Sequence, residues 1–173
     1  MICHDLLVPQ LSPTVNLYFE ADDYIRFVSS LEHYISVELK EISNKKGEYP
    51  IGILYDVKIH FLHYPNFEIA KSKWDERVKR INWKNLFLVF VEREGCTYNH
   101  LLEFDRLPYK NKVALVHKSY PYIKCAKLFP GYEKQEEVGK ITDWNGFLGK
   151  RVYDKWDFVS FLNSNNNQSN MTD

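Results

Sequence analysis

The chain has 173 residues, 45% of them hydrophobic and 27% charged, a balance that suits one folded domain and excludes the signature of disorder. The 23 Lys and Arg are matched by 23 Asp and Glu, so no global positive field favours a nucleic-acid partner. No apolar run approaches the roughly 18 to 20 residues of a membrane span, the start MICHDLLVPQ lacks the regions of a signal peptide, and Cys3, Cys96 and Cys125 are too scattered for a disulfide framework or a structural zinc site. A cytoplasmic protein is expected.

Val15, Leu17 and Phe19 alternate with Asn16 and Tyr18 in a short strand pattern. From Ala21 to about Leu39 the period becomes helical. Tyr24, Phe27, Val28, Leu31, Tyr34, Ile35 and Leu39 share one stripe, and Asp22 and Asp23 sit at the positive end of the helix. SNKKGEYP is a loop, and two extended pieces follow, Ile51 to Tyr55 and Val57 to His63. In the second piece alternation puts His63 with Ile59 and Phe61, and His60 with Asp56 and Lys58 on the other face.

Asn66 is a helix cap for a segment reaching about Ile81, with Phe67, Ala70, Trp74, Val78 and Ile81 inward and a basic outer face. LFLVFV from Leu86 is apolar on successive residues, as a strand covered on both faces requires. Thr97 caps a short helix to about Asp105, VALV from Val113 gives a second buried strand, and Tyr122 to Asn145 is irregular. Asp154 opens a last helix. Residues 1–162 are expected to form one α/β domain, an open, largely parallel sheet with helices on both faces in a Rossmann-like layering, and 163–173 a disordered polar tail.

Ligands of open parallel sheets sit beyond the carboxyl ends of the strands. That rule selects Glu92, Arg93, Glu94, Cys96 and Thr97 after one strand and His117, Lys118 and Tyr120 after the next. Cys96, at a strand-to-helix turn beside Arg93, is expected to have a modestly lowered pKa and to serve as nucleophile, with His117 as base and Glu92 or Glu94 as orienter. Arg93, Glu94, Thr97, Lys118 and Tyr120 would bind substrate.

His60, His63 and Asp56 do not form a metal site, because residues three apart on a strand point to opposite faces. The charges of KSKWDERVKR read as a solvated helix face laced by i,i+4 pairs. Trp and Tyr faces suit the apolar side of sugars. Trp83, Tyr109, Tyr120, Tyr122 and Trp144 fall in or near loops, where such platforms lie. There is no GxGxxG, Walker A, GxSxG, HExxH or Asp-x-Asp pattern, and no cofactor is implied.

The blocks PIGILYDVKIHFLHYP, WDERVKRINWKNLF, EREGCT, FDRLPYKNKVALVHKSYP and GKRVYDKWDFVSFLN stand in the order seen in the bacterial domain-of-unknown-function family 1919, which the chain resembles from about Leu11 to Asn163. The resemblance implies exopolysaccharide or capsular polysaccharide biosynthesis, with a glycan and a sugar-nucleotide or acyl donor as partners. It supplies no reaction or catalytic residues of its own; the expected activity is a transferase adding a sugar or acyl-type substituent to a glycan intermediate, or alternatively a non-catalytic glycan-binding or assembly module, as a truncated inactive copy would be. Family members begin with a further strand and a glycine-paired turn, so one wall of the crevice is expected to be missing here.

Overall fold

The computed structural model describes residues 12–14, 16–44, 47–141 and 152–163. The helical stripe that begins at Ala21 forms two helices, α1 (Ala21–Ser29) and α2 (Leu31–Ser36), because Ser30 leaves helical geometry at φ −136°. Ser29 and Ser30 are weak helix formers whose hydroxyls compete for the backbone. The break lets Leu31 and Tyr34 reach the core, where the Tyr34 hydroxyl donates to Asp56 Oδ1 at 2.8 Å.

The strands fall into two sheets of three. β1 (Lys40–Ile42), β2 (Ile51–Leu54) and β3 (Val57–His60) are antiparallel neighbours in that order. Leu54 pairs with Val57 across the two-residue loop Tyr55-Asp56, and a loop that short can only join antiparallel strands. The single, largely parallel sheet expected from the sequence is therefore corrected to a mixed α/β architecture. Gly52 in β2 admits the side chains above it: a Cβ there would lie 2.6 Å from Leu39 Cδ1.

The strand pattern around Leu17 reduces to one bridge, in which Tyr18 and His60 exchange backbone hydrogen bonds of 3.0 Å. Val15 lies outside the described residues. β3 ends at His60, so the alternation stops before His63. His63 is exposed, and His60 is the buried histidine, stacked under the Tyr18 ring at 4.3 Å.

Asn66 caps α3 (Phe67–Val78) by accepting from the Ile69 amide at 3.0 Å. The outer charges of α3 pair along it, Lys71 with Asp75 at 2.8 Å, Lys73 with Glu76 at 3.0 Å and Arg80 with Glu76. After a 3₁₀ turn (Trp83–Asn85) come β4 (Phe87–Val91), α4 (Tyr98–Arg106) and β5 (Asn111–Val116), with β4 and β5 parallel neighbours. β6 (Ala126–Leu128) adds in parallel on the far side of β5, within the stretch expected to be irregular.

Both faces of this second sheet are covered, which is why its strands read as unbroken apolar runs. Leu88, Phe90, Ala114 and Val116 face a core shared with α1, Leu101 and Phe104 of α4, and β3. Tyr24 of α1 stacks on Phe90 at 5.2 Å. Val113 and Leu115 face a second core with Phe129, Val138, Tyr153 and Phe158. The last helix, α5 (Phe158–Asn163), follows a 3₁₀ turn (Val152–Lys155) and begins after Asp157, whose carboxylate accepts from the Ser160 amide at 2.9 Å; Asp154 lies within the preceding turn. The tail beyond Asn163 and Trp144 lie outside the described residues.

Candidate active site at the carboxyl edge of the parallel sheet

β4 and β5 end side by side, and the residues that leave them meet. Leu115 O accepts from the Glu92 amide at 2.9 Å, and Glu92 O accepts from Val138 N at 2.8 Å, so the Glu92 backbone is held on both sides. Its side chain is buried and accepts three hydrogen bonds. The His117 amide donates to Oε2 at 2.8 Å, His117 Nδ1–H donates to the same oxygen at 2.6 Å, and the Tyr120 hydroxyl donates to Oε1. A buried carboxylate survives only with such compensation, and charge-assisted bonds are the strongest available. The Tyr120 hydroxyl is in turn raised above its ordinary range by burial and by Glu92.

With Nδ1–H committed to Glu92, neutral His117 carries its lone pair on Nε2. Among the described residues Nε2 has no hydrogen-bond partner, and unlike the ring nitrogens of His60 it is not sealed from solvent. His117 is itself buried, and an imidazole oriented through one nitrogen and unpaired at the other is the arrangement of a general base. Lys118 Nζ stands 5.6 Å from the centre of the Tyr120 ring, within cation–π range, and the rings of Tyr98 and His117 lie 5.9 and 6.3 Å from it.

Cys96 lies in the same neighbourhood, since the charge on Glu92 acts on it and it acts on Tyr120. Its chemistry corrects the expectation. Burial, followed by the charges of Glu92 and Glu137, pushes the thiol up to about 12 where a lowered value was expected. Sγ donates to Thr97 O at 3.6 Å. Arg93, expected to favour the thiolate, is engaged by Glu94 at 3.0 Å through Nε and again through Nη2.

The turn from Arg93 to Cys96 is closed by Cys96 N–H donating to Arg93 O at 3.1 Å, with φ +55° at Glu94 and +79° at Gly95. Two successive left-handed residues are the type I′ pattern. Glu94 O caps α1 by accepting from Ala21 N at 3.2 Å. Thr97 N–H donates to His100 Nδ1 at 3.0 Å, which leaves the proton on His100 Nε2 to reach Asp22 Oδ1 at 2.8 Å. His100 thus ties the start of α4 to the start of α1. A Thr followed by a polar residue three positions on, a capping-box spacing, was the readable signal for half of this tie, whereas its partner Asp22 was not readable.

Two surface grooves are formed elsewhere. One, of about 810 Å³, runs along α3 over Lys71, Asp75 and Arg80. The other, of about 620 Å³, opens at the amino ends of β4 and β5. Neither is lined by the carboxyl-edge residues. Among the described residues no group of three or more His, Cys, Asp or Glu could hold a metal ion, and no helix is long and apolar enough to cross a membrane.

A family model described as Domain of unknown function (DUF1919) matches residues 1–163. The chain belongs to this family. A Haemophilus influenzae protein that carries the name "Uncharacterized protein" is 41% identical to this DUF1919 member over 162 residues, which cover 94% of the chain and 78% of the relative. The matched region takes in both strands of the carboxyl edge and the whole Glu92–His117–Tyr120 cluster.

Proposed function

We propose that this DUF1919 member is a cytoplasmic transferase of surface-polysaccharide assembly, placing a sugar or acyl-type group on a hydroxyl of a glycan intermediate with His117 as general base. The observation that carries this reading is the 2.6 Å contact between His117 Nδ1 and buried Glu92 at the carboxyl ends of parallel strands. Taking β4, β5 and β6 as an open Rossmann-like sheet, substrate enters over that edge. His117 Nε2 takes the acceptor hydroxyl proton as the oxygen forms its bond to the electrophilic carbon of the donor. The donor's leaving group departs with the electron pair of the broken bond. Glu92 stabilises the imidazolium that results, Tyr120 holds Glu92, and Lys118 offsets negative charge on the leaving group. With its thiol pushed up to about 12, Cys96 lines the site and transfer is direct, without a covalent enzyme intermediate.

Sugar nucleotides and acyl-coenzyme A, each offered with glycan acceptors, test this. His117→Gln and Glu92→Gln should lower transfer by roughly 10²- to 10⁴-fold while donor binding changes little. Failure of the native chain to bind any donor would sink the transferase reading. The second reading, a non-catalytic glycan-binding module, draws on the position of the two grooves, both away from the dyad. It expects glycan binding without donor binding.

A further inference from the structure

The transferase reading admits either a sugar or an acyl group, and the charges at the carboxyl edge separate the two. Val138 N–H donates to Glu92 O at 2.8 Å, which holds the neighbouring Glu137 beside the dyad. Glu94 O accepts from Ala21 N at 3.2 Å, which brings the start of α1, with Glu20 and Asp22, to the same edge. Arg93 and Lys118, the cations that leave β4 and β5 beside the dyad, do not balance these carboxylates. Arg93 is taken up by Glu94, and Lys118 Nζ lies over the Tyr120 ring. The side-chain charges that act on the Cys96 thiol, Glu92 and Glu137, are both negative.

A sugar nucleotide places its phosphates on the reacting carbon, so departure of a nucleotide calls for several positive groups close to that carbon. One ammonium within an acidic rim does not supply them. An acyl thioester brings no charge to its reacting carbon, because any phosphate lies at the far end of the pantetheine arm. Around His117 the thioester meets neutral, polarisable surfaces. The Cys96 thiol and the Tyr120 ring pack against the main core, with the Tyr98 ring 5.9 Å from that of Tyr120, and sulfur packs well against aromatic rings.

The dyad is also complete for acyl transfer, since one imidazole serves both proton transfers. His117 Nε2 takes the hydroxyl proton of the acceptor as the oxygen bonds to the carbonyl carbon, whose π pair moves to the carbonyl oxygen. When that pair returns, the C–S bond breaks, the sulfur leaves with the bonding electrons, and Nε2–H gives it the proton. The products are an oxygen ester and a free thiol. Resting on the transferase reading, we propose that the donor of this DUF1919 protein is an acyl thioester of a pantetheine-type thiol.

Titration calorimetry of the full chain with acetyl-coenzyme A and acetyl-pantetheine, and separately with UDP, GDP and CMP, tests this. Both thioesters should bind saturably and each nucleotide roughly tenfold or more weakly than either. Glu137→Lys, at an exposed position, should strengthen nucleotide binding by roughly tenfold and leave acetyl-pantetheine unchanged. With maltooligosaccharides and oligogalacturonides as hydroxyl acceptors, the native chain should release thiol from acetyl-pantetheine, and His117→Gln should do so roughly a hundredfold more slowly. Nucleotide binding as tight as thioester binding, nucleotide affinity unmoved by Glu137→Lys, or a bound thioester that stays intact overturns the thioester donor. Saturable nucleotide binding without thioester binding leaves the transferase reading standing, whereas binding of neither class sinks both.

Discussion

At Cys96 two influences of opposite sign compete. A helix N-terminus favours the thiolate by about 0.3–1 kcal/mol, less than a tenfold change in acidity. Burial and the charges of Glu92 and Glu137 oppose it and raise the thiol from its ordinary 9.0 to about 12. Burial wins, so the alkylation rate of Cys96 with iodoacetamide at pH 7, followed site by site by mass spectrometry, should be roughly a hundredfold or more below that of the same cysteine in denaturant. Cys125, also held near 12 by burial and Asp105, should be equally slow. Fast labelling of folded Cys96 would contradict this and return it to contention as a nucleophile. The sequence named Glu92 and His117 because they follow apolar runs at a strand end. It could not weigh the burial of Cys96 against the main core or the charge of Glu137, because both come from parts of the chain distant in sequence.

Among the elements, the Arg93–Cys96 turn sets the direction in which β4 hands over to α4. Gly95 sits at φ +79°, and a Cβ there would meet nothing within 4 Å, so its requirement is one of backbone conformation and not of space. Gly95→Ala should therefore cost about 1–2 kcal/mol, read as a lower midpoint in urea at unchanged slope. A variant as stable as the native chain would mean that the turn relaxes. β4 and β5 were legible because burial on both faces leaves a run of apolar residues. β6 was not, since it is only Ala126–Leu128 with Lys127 and Leu128 exposed, too short to present either period. The break at Ser30 was less legible, because the apolar stripe continues through two serines that only weakly disfavour helix, and the contact that holds the turned segment, Tyr34 to Asp56, joins residues 22 apart.

At the scale of the molecule, His60 makes stability depend on pH. Both its ring nitrogens are buried without a partner, between the stacked Tyr18 ring and Tyr49 at 5.9 Å. Burial lowers its pKa, against the opposing charges of Glu20, Asp23 and Glu94 and with some help from Lys58. The unfolded chain therefore binds the proton first, and stability is lost as pH falls below about 6.5 toward the folded value. Asp23, raised by burial, works in the opposite sense and only in the acid range of carboxylates. His60→Phe keeps the stack on Tyr18 and removes the titration, so its melting temperature should fall less than that of the native chain between pH 7 and pH 5. Parallel curves for the two proteins would show that His60 carries no such linkage.

The two sheets also differ in how far along the chain their partners lie. Leu54 meets Val57 across a two-residue loop, whereas Phe87 must wait for Asn111 and Ala114 for Ala126. Loop closure costs entropy that grows with separation, and hairpins close in about 1–10 μs while distant parallel pairs assemble later. The β2–β3 hairpin therefore closes a far smaller loop than the carboxyl edge does, at a lower entropic cost. Glu92 and His117 come together only when β4 and β5 are in register, so their contact joins segments 25 residues apart in the chain, where the hairpin needs only its own two-residue loop.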